Sequence, residues 1–234
     1  MITNCLYCEG ELVELLSWKG LFHSEPQFLC EECLVQLEKI EGGERCNGCS
    51  RSLDGLPSNL VKEDVCLDCH RWEQNPNWKG ILDHNHSFFH YNDFIKDYLA
   101  RYKYRGDYAL SQAFSHTIKL YLAKRKYDLI IPIPLSDERL YERGFNQSTA
   151  LLEKAEVRPS NMLTRSHSEK QSKKTRSERL KQEQVFRLKG NGVKDKNILL
   201  FDDIYTTGTT LRQAAKLLKE SGAAEVSSLT LARG

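Results

Sequence analysis

No apolar run in this chain approaches the length of a membrane span, and no charged–apolar–small leader opens it. The first absence argues against a transmembrane segment and the second against export, so the expected location is cytoplasmic. Neither glycine-rich nucleotide fingerprint is present, neither G-x-G-x-x-G nor G-x-x-x-x-G-K-[ST], which excludes the Rossmann and P-loop routes to phosphate binding. Net charge is nearly absent too, at +2. That balance hides an asymmetry. Residues 1–78 hold 6 Lys and Arg against 14 Asp and Glu, or −8, whereas the remainder holds 28 against 18, or +10. The larger part is basic enough to favour polyanions, though weakly and without specificity. Cysteine vanishes after residue 69.

Before that point it is abundant and ordered. Eight cysteines form four identical C-x-x-C pairs: Cys5/Cys8, Cys30/Cys33, Cys46/Cys49 and Cys66/Cys69. Each pair sets two thiolates on one turn, enough to grip half of a tetrahedral ion, so four pairs make two structural Zn²⁺ sites. Twenty-one residues separate the first two pairs and 16 the last two, both near zinc-ribbon spacing. Sequential pairing is preferred, with interleaved or nested pairing left open by spacing alone. Disulfides are disfavoured in a reducing compartment. A tetrathiolate site keeps net negative charge, so this acidic part suits protein docking better than gripping DNA. His70 follows Cys69 but is not needed as a ligand. His84, His86 and His90 have the even spacing of a strand face and read as polar side chains at the surface near a strand, not as a third metal site. The turn-rich run from Asn75 to Gly80 divides the chain into a Cys-rich zinc-binding domain, 1–78, and a second domain, 79–234.

The second domain is organised around Ile198-Leu199-Leu200-Phe201-Asp202-Asp203-Ile204-Tyr205-Thr206-Thr207-Gly208-Thr209-Thr210. Four consecutive apolar residues without alternation suit a strand covered on both faces. Asp202 and Asp203 then stand at its carboxyl end, where open α/β sheets bind ligands. The threonines and Gly208 make a tight polar turn into a helix with Leu211, Ala214, Ala215 and Leu218 on one face, stopped by Gly222. Open N–H groups at such a helix start favour phosphate. Two carboxylates beside a phosphate must serve something else, such as sugar hydroxyls or Mg²⁺. This stretch resembles the signature of type I phosphoribosyltransferases, which bind 5-phosphoribosyl-1-pyrophosphate (PRPP).

Elsewhere, residues 87–91 read as a short strand, and Asn92 or Asp93 caps a helix with Ile95, Tyr98, Leu99 and Tyr102 on its apolar face. Lys103-Tyr104-Arg105-Gly106-Asp107 interrupts it, and a second amphipathic segment runs to about Leu122. Lys103 and Arg105 are either solvated charges or, in a PRPP site, contacts to pyrophosphate. Leu129–Pro134 is a buried strand stopped by its prolines. Arg143-Gly144-Phe145-Asn146-Gln147 leads into a helix through Leu152. Residues 165–181 carry Arg165, Lys170, Lys173, Lys174, Arg176, Arg179 and Lys181 against two glutamates, with little apolar content. The four C-x-x-C pairs, Lys-Tyr-Arg-Gly-Asp, Pro-Ile-Pro-Leu, Arg-Gly-Phe-Asn-Gln and the Asp-Asp stretch follow one another as in the ComF family, which this chain resembles over nearly its whole length.

The resemblance implies an α/β fold: a type I phosphoribosyltransferase-like parallel sheet flanked by helices, preceded by a double zinc-ribbon unit. It implies a part in DNA uptake beside a ComFA-type DNA translocase, although relatives also act in carbohydrate utilisation. It assigns the ribose hydroxyls of PRPP to Asp202 and Asp203, and the 5′-phosphate to the amides and hydroxyls of Tyr205, Thr206, Thr207, Gly208, Thr209 and Thr210. Leu135, Ser136 and Arg139 fall in the pyrophosphate loop, and Arg176 and Arg179 in a loop that folds over the ligand. Many relatives carry Arg-x-x-Asn there, where this chain has Arg176-Ser177-Glu178-Arg179. As an enzyme the chain would be a Mg²⁺-dependent phosphoribosyltransferase, its acceptor unread. A non-catalytic adaptor, a module for single-stranded DNA and a homo-oligomer remain open.

Overall fold

The computed structural model describes residues 3–12, 27–165 and 185–234. Its first elements are short: helix α1 (Glu31–Leu34), the antiparallel pair β1 (Val61–Lys62) and β2 (Val65–Cys66), and helix α2 (Leu67–Gln74). Strand β3 (Asn85–His90) follows, then α3 (Asp93–Tyr104), whose first turn is closed by the Asn92 side chain accepting from Ile95 N. A 3₁₀ segment (Tyr108–Phe114) leads into α4 (Ser115–Ala123). Next come β4 (Leu129–Pro132), α5 (Asp137–Arg143) and α6 (Gln147–Lys154). A small antiparallel pair, β5 (Leu163–Arg165) and β6 (Phe186–Leu188), precedes β7 (Asn197–Tyr205), α7 (Thr209–Glu220) and β8 (Glu225–Arg233).

The main sheet has the order β3-β8-β7-β4 and every neighbouring pair is parallel. Its central strands are buried almost throughout because both faces are covered: Ile198–Phe201 of β7 is continuously apolar, and the buried Ser228 and Thr230 of β8 are hydrogen-bonded to Asn85 and Ser87. Leu199 and Phe201 of β7 pack on one side with Ile95, Leu99 and Leu151 from α3 and α6. Ile198 and Leu200 pack on the other with Leu211, Ala215 and Leu218 of α7. The cysteines join these same two layers. Cys5 and Cys33 belong to the first cluster, and Cys46, Cys49, Cys66 and Cys69 to the second. The two C-x-x-C groups therefore brace opposite faces of the sheet.

Three boundaries differ from the sequence reading. The strand expected over 87–91 runs Asn85–His90, and the one expected to Pro134 ends at Pro132. Strand β7 continues through Tyr205, because its parallel register with β8 holds to Tyr205↔Arg233. Asp202 and Asp203 thus lie within the strand and inherit its rigidity. His86 is half-buried rather than at the open surface. It stacks on Tyr121 at 4.5 Å, and burial, helped by Arg125, pushes its pKa down to about 4. Among the described residues no helix is long and apolar enough to cross a membrane.

Candidate functional site

At the carboxyl end of β7 the pleat turns Asp202 and Asp203 to opposite sides, and the start of α6 reaches both. Asn146 caps that helix, accepting from Ser148 N and Thr149 N at 2.9 and 3.0 Å while donating to the Ile133 carbonyl at 2.9 Å. This ties α6 to the exit of β4 and fixes its first turn. Ser148 Oγ donates to Asp202 Oδ1 at 3.0 Å, and Gln147 Nε2 donates to Asp203 Oδ1 at 3.2 Å. Gln147 is itself held, accepting from Arg143 at its side chain and from Tyr102 Oη at its carbonyl, 2.8 Å. Lys103 forms an ion pair with Asp203 Oδ2.

The two carboxylates are electrostatically unequal. Asp203 has a cation, whereas Asp202 has a hydroxyl and the Asp203 amide, which donates at 3.0 Å. Burial, and then the neighbouring charge of Asp203, push the Asp202 carboxyl from its ordinary 3.8 up to about 8. Arg165 at the end of β5 faces the same space. Burial lowers its pKa, Arg139 adds to the fall and Asp202 opposes it, so two guanidiniums and a carboxyl share one field.

Beyond β7 the chain turns through Thr206-Thr207-Gly208 into α7. Gly208 has φ +79°, and a Cβ there would stand 2.2 Å from Tyr205 Oη, so both backbone and packing demand glycine. Thr207 and Thr209 hydroxyls are 2.9 Å apart, and both residues are exposed. Among the described residues, none accepts from the backbone N–H of Thr206, Thr207 or Gly208. A strand-end carboxylate pair, facing guanidiniums and a loop of open amides can hold a ligand that is hydroxylated at one end and anionic at the others.

Of the residues singled out from sequence, the structure gathers Asp202, Asp203, Lys103 and the run from Tyr205 to Thr210 around the end of β7. Ser136 caps α5, accepting from Arg139 N at 3.4 Å, with Leu135 half-buried before it. Arg105 is exposed beyond the end of α3. Arg176 and Arg179 lie outside the described residues. Gln147, Ser148 and Arg165 were not singled out as site residues. Only the weak Arg-Gly-Phe-Asn-Gln run and the head of the basic segment pointed near them.

The cysteines fall into two groups, Cys5/Cys8/Cys30/Cys33 and Cys46/Cys49/Cys66/Cys69, with sulfurs within 4.8 Å of one another in each. This is the sequential pairing, and four convergent thiols fit tetrahedral Zn²⁺.

Residues 142–234 match the phosphoribosyl transferase domain model. Along the full chain the similarity is to competence proteins. Competence protein ComFC of Bacillus subtilis is 40% identical over 234 residues, covering 98% of this chain and 94% of the relative. ComFC of Streptococcus pneumoniae is 34% identical over 98% of this chain and all of its own, 100%. Competence protein F of Haemophilus influenzae is 26% identical over 98% and 96% respectively. With matches at 40% and 34% identity spanning 98% of its length, the chain belongs to the ComF family.

Proposed function

We propose that this chain is a cytoplasmic competence protein that binds Mg²⁺·PRPP and works beside a ComFA-type DNA translocase. The competence role is supported by the full-length relatives. The PRPP site rests on one observation: an enclosed carboxylate pair, positioned by Gln147 and Ser148, stands next to a loop of open amides. Asp202 and Asp203 accept from the ribose hydroxyls, and the Thr206–Thr209 loop donates to the 5′-phosphate. Carboxylate oxygens suit Mg²⁺, so Asp202 and Asp203 would hold it, and it would supply positive charge to offset the developing charge of the leaving pyrophosphate. Arg139 and Arg165 face the pyrophosphate as it leaves, and Lys103 shifts from Asp203 towards it. Transfer to an acceptor would then draw on this electrostatic support of an oxocarbenium-like sugar and a departing anion.

The test is calorimetric titration with Mg²⁺·PRPP between pH 6 and 8.5 in buffers of different ionisation enthalpy. Asp202 is protonated below about 8 in the free protein, whereas a pair of hydroxyls together with Mg²⁺ favours the ionised carboxylate, which accepts more strongly and carries charge for the cation. Binding therefore releases a proton, and affinity climbs towards pH 8, by up to about tenfold per unit. A buffer-independent enthalpy with flat affinity would reject this role for Asp202.

A second reading, single-stranded DNA binding, is favoured by Tyr141 and Tyr104, which are 91% and 79% exposed with the Arg143 guanidinium 5.6 Å over the Tyr104 ring. Exposed aromatics among cations suit base stacking. Here a labelled oligonucleotide is displaced by Mg²⁺·PRPP, and its affinity falls steeply with salt. Binding that ignores both Mg²⁺·PRPP and the loss of these two rings would place DNA elsewhere.

A further inference from the structure

The cysteine-rich part of the chain reaches the threonine loop directly. Trp72, on α2 three residues after Cys69, donates from Nε1 to the Thr207 carbonyl at 3.0 Å. Its ring is held edge-on by Trp78 at 5.3 Å, with the Arg212 guanidinium 5.1 Å above it. Arg212 is only 1% exposed and pairs with Glu73 of α2 at 3.3 Å. A peptide unit is planar and trans, so fixing a carbonyl to one side sends the next N–H to the other. Trp72 therefore sets the direction of the Gly208 N–H. A second clamp acts one turn earlier. The Tyr205 carbonyl accepts from Gly234 N at 3.0 Å and from Arg233 Nη1 at 3.3 Å, which sets the Thr206 N–H. The same Arg233 donates Nε to Cys49 Sγ at 3.2 Å.

We infer that Trp72 and Arg233, anchored to the second cysteine group, are positioning residues that hold two loop amides towards the ligand phosphate, so that metal and ligand occupancy are coupled. The identity of the ligand rests on the PRPP reading; the loop geometry does not. The test uses full-length, zinc-loaded protein and the Trp72→Phe variant, which keeps an aromatic ring and loses the donor. We expect the variant to retain two zinc ions and melt within a few degrees of wild type, as the loss of about one internal hydrogen bond allows, while binding Mg²⁺·PRPP roughly three- to tenfold more weakly because the loop amides are no longer held in place. The ¹⁵N order parameters of the Thr206, Thr207 and Gly208 amides in the ligand-free protein should fall in the variant, since among the described residues these N–H groups have no acceptor of their own and are held only through their carbonyls. Reciprocity requires saturating Mg²⁺·PRPP to protect one of the two zinc ions of the wild type against a chelator.

Unchanged affinity together with unchanged order parameters in the variant overturns the inference. If the wild type takes up no PRPP, that reading fails by itself, and the order parameters alone decide here: lower in the variant upholds the clamp, unchanged removes it. If the variant loses zinc or does not fold, chelator competition on the wild type decides, and protection of neither ion overturns the coupling.

Discussion

Replacing both Asp202 and Asp203 by asparagine should remove the Mg²⁺·PRPP binding proposed for this site, a loss expected to be at least about a hundredfold. Each carboxylate would accept charge-assisted hydrogen bonds worth roughly 1.5–3 kcal/mol apiece, and the pair together would exceed about 3 kcal/mol. The fold survives the double change, since β7 is held by its backbone ladders to β4 and β8 and asparagine is nearly isosteric. The single changes separate the two acids. Asp203→Asn strands the half-buried Lys103 without its partner, so it costs stability as well as binding, on the order of a few kcal/mol. Asp202→Asn behaves otherwise. Its carboxyl has a folded pKa raised from 3.8 to about 8, so the folded state binds more protons than the unfolded chain between those values. Stability of the wild type therefore falls as pH rises through that window. The variant should match wild type near pH 4 and be more stable near pH 8, while still losing the ligand. Melting curves at the two pH values check the sign. Equal or lower stability of Asp202→Asn near pH 8 would show that Asp202 is not a strained acid.

Much of this site was legible because its parts are contiguous. Apolar run, two aspartates, threonines and glycine succeed one another, and each carries a local physical meaning. Gly208 is the clearest case, needed for its positive φ and again for the closeness of Tyr205. The cysteine pairs were equally readable, since a C-x-x-C turn is local and sequential pairing brings neighbouring turns together. What stayed hidden depends on the tertiary path. Gln147 and Ser148 meet Asp203 and Asp202 across 56 and 54 residues of sequence, and a glutamine or serine at a helix start ordinarily signals capping alone. Trp72 belongs to no motif, and no spacing rule says that its N–H finds a carbonyl 135 residues away. Nor does ribbon spacing tell that the two groups sit on opposite faces of the sheet. The even spacing of His84, His86 and His90 identified a strand face but not the Tyr121 ring that covers His86.

That opposite placement makes the two metal groups unequal under mutation. Cys66→Ser should lower bound zinc from two ions to one per chain, weaken Mg²⁺·PRPP binding and depress the melting temperature by about 10–20 °C. Cys66 is buried in the layer that contains Leu200, Leu211 and Val226, and its amide donates to Cys46 Sγ at 3.2 Å. Losing the ion leaves thiolates or thiols facing one another in an apolar core, with Arg233 deprived of a tetrathiolate that offsets its charge. Structural zinc sites in isolated peptides supply about 10–16 kcal/mol of folding free energy. Even a loss of about 5 kcal/mol shifts a domain of this size by that many degrees. Cys8→Ser in the first group should also cost one zinc ion, but Cys8 is exposed and its group packs on the face away from α7 and the threonine loop. Binding of Mg²⁺·PRPP should then stay within about twofold of wild type, inside the scatter of distant, uncoupled sites. Metal analysis, melting and titration on both variants decide the matter. Equal losses of ligand affinity would mean that zinc stabilises the sheet as a whole, and no loss in Cys66→Ser would disconnect the second group from the loop that it underlies.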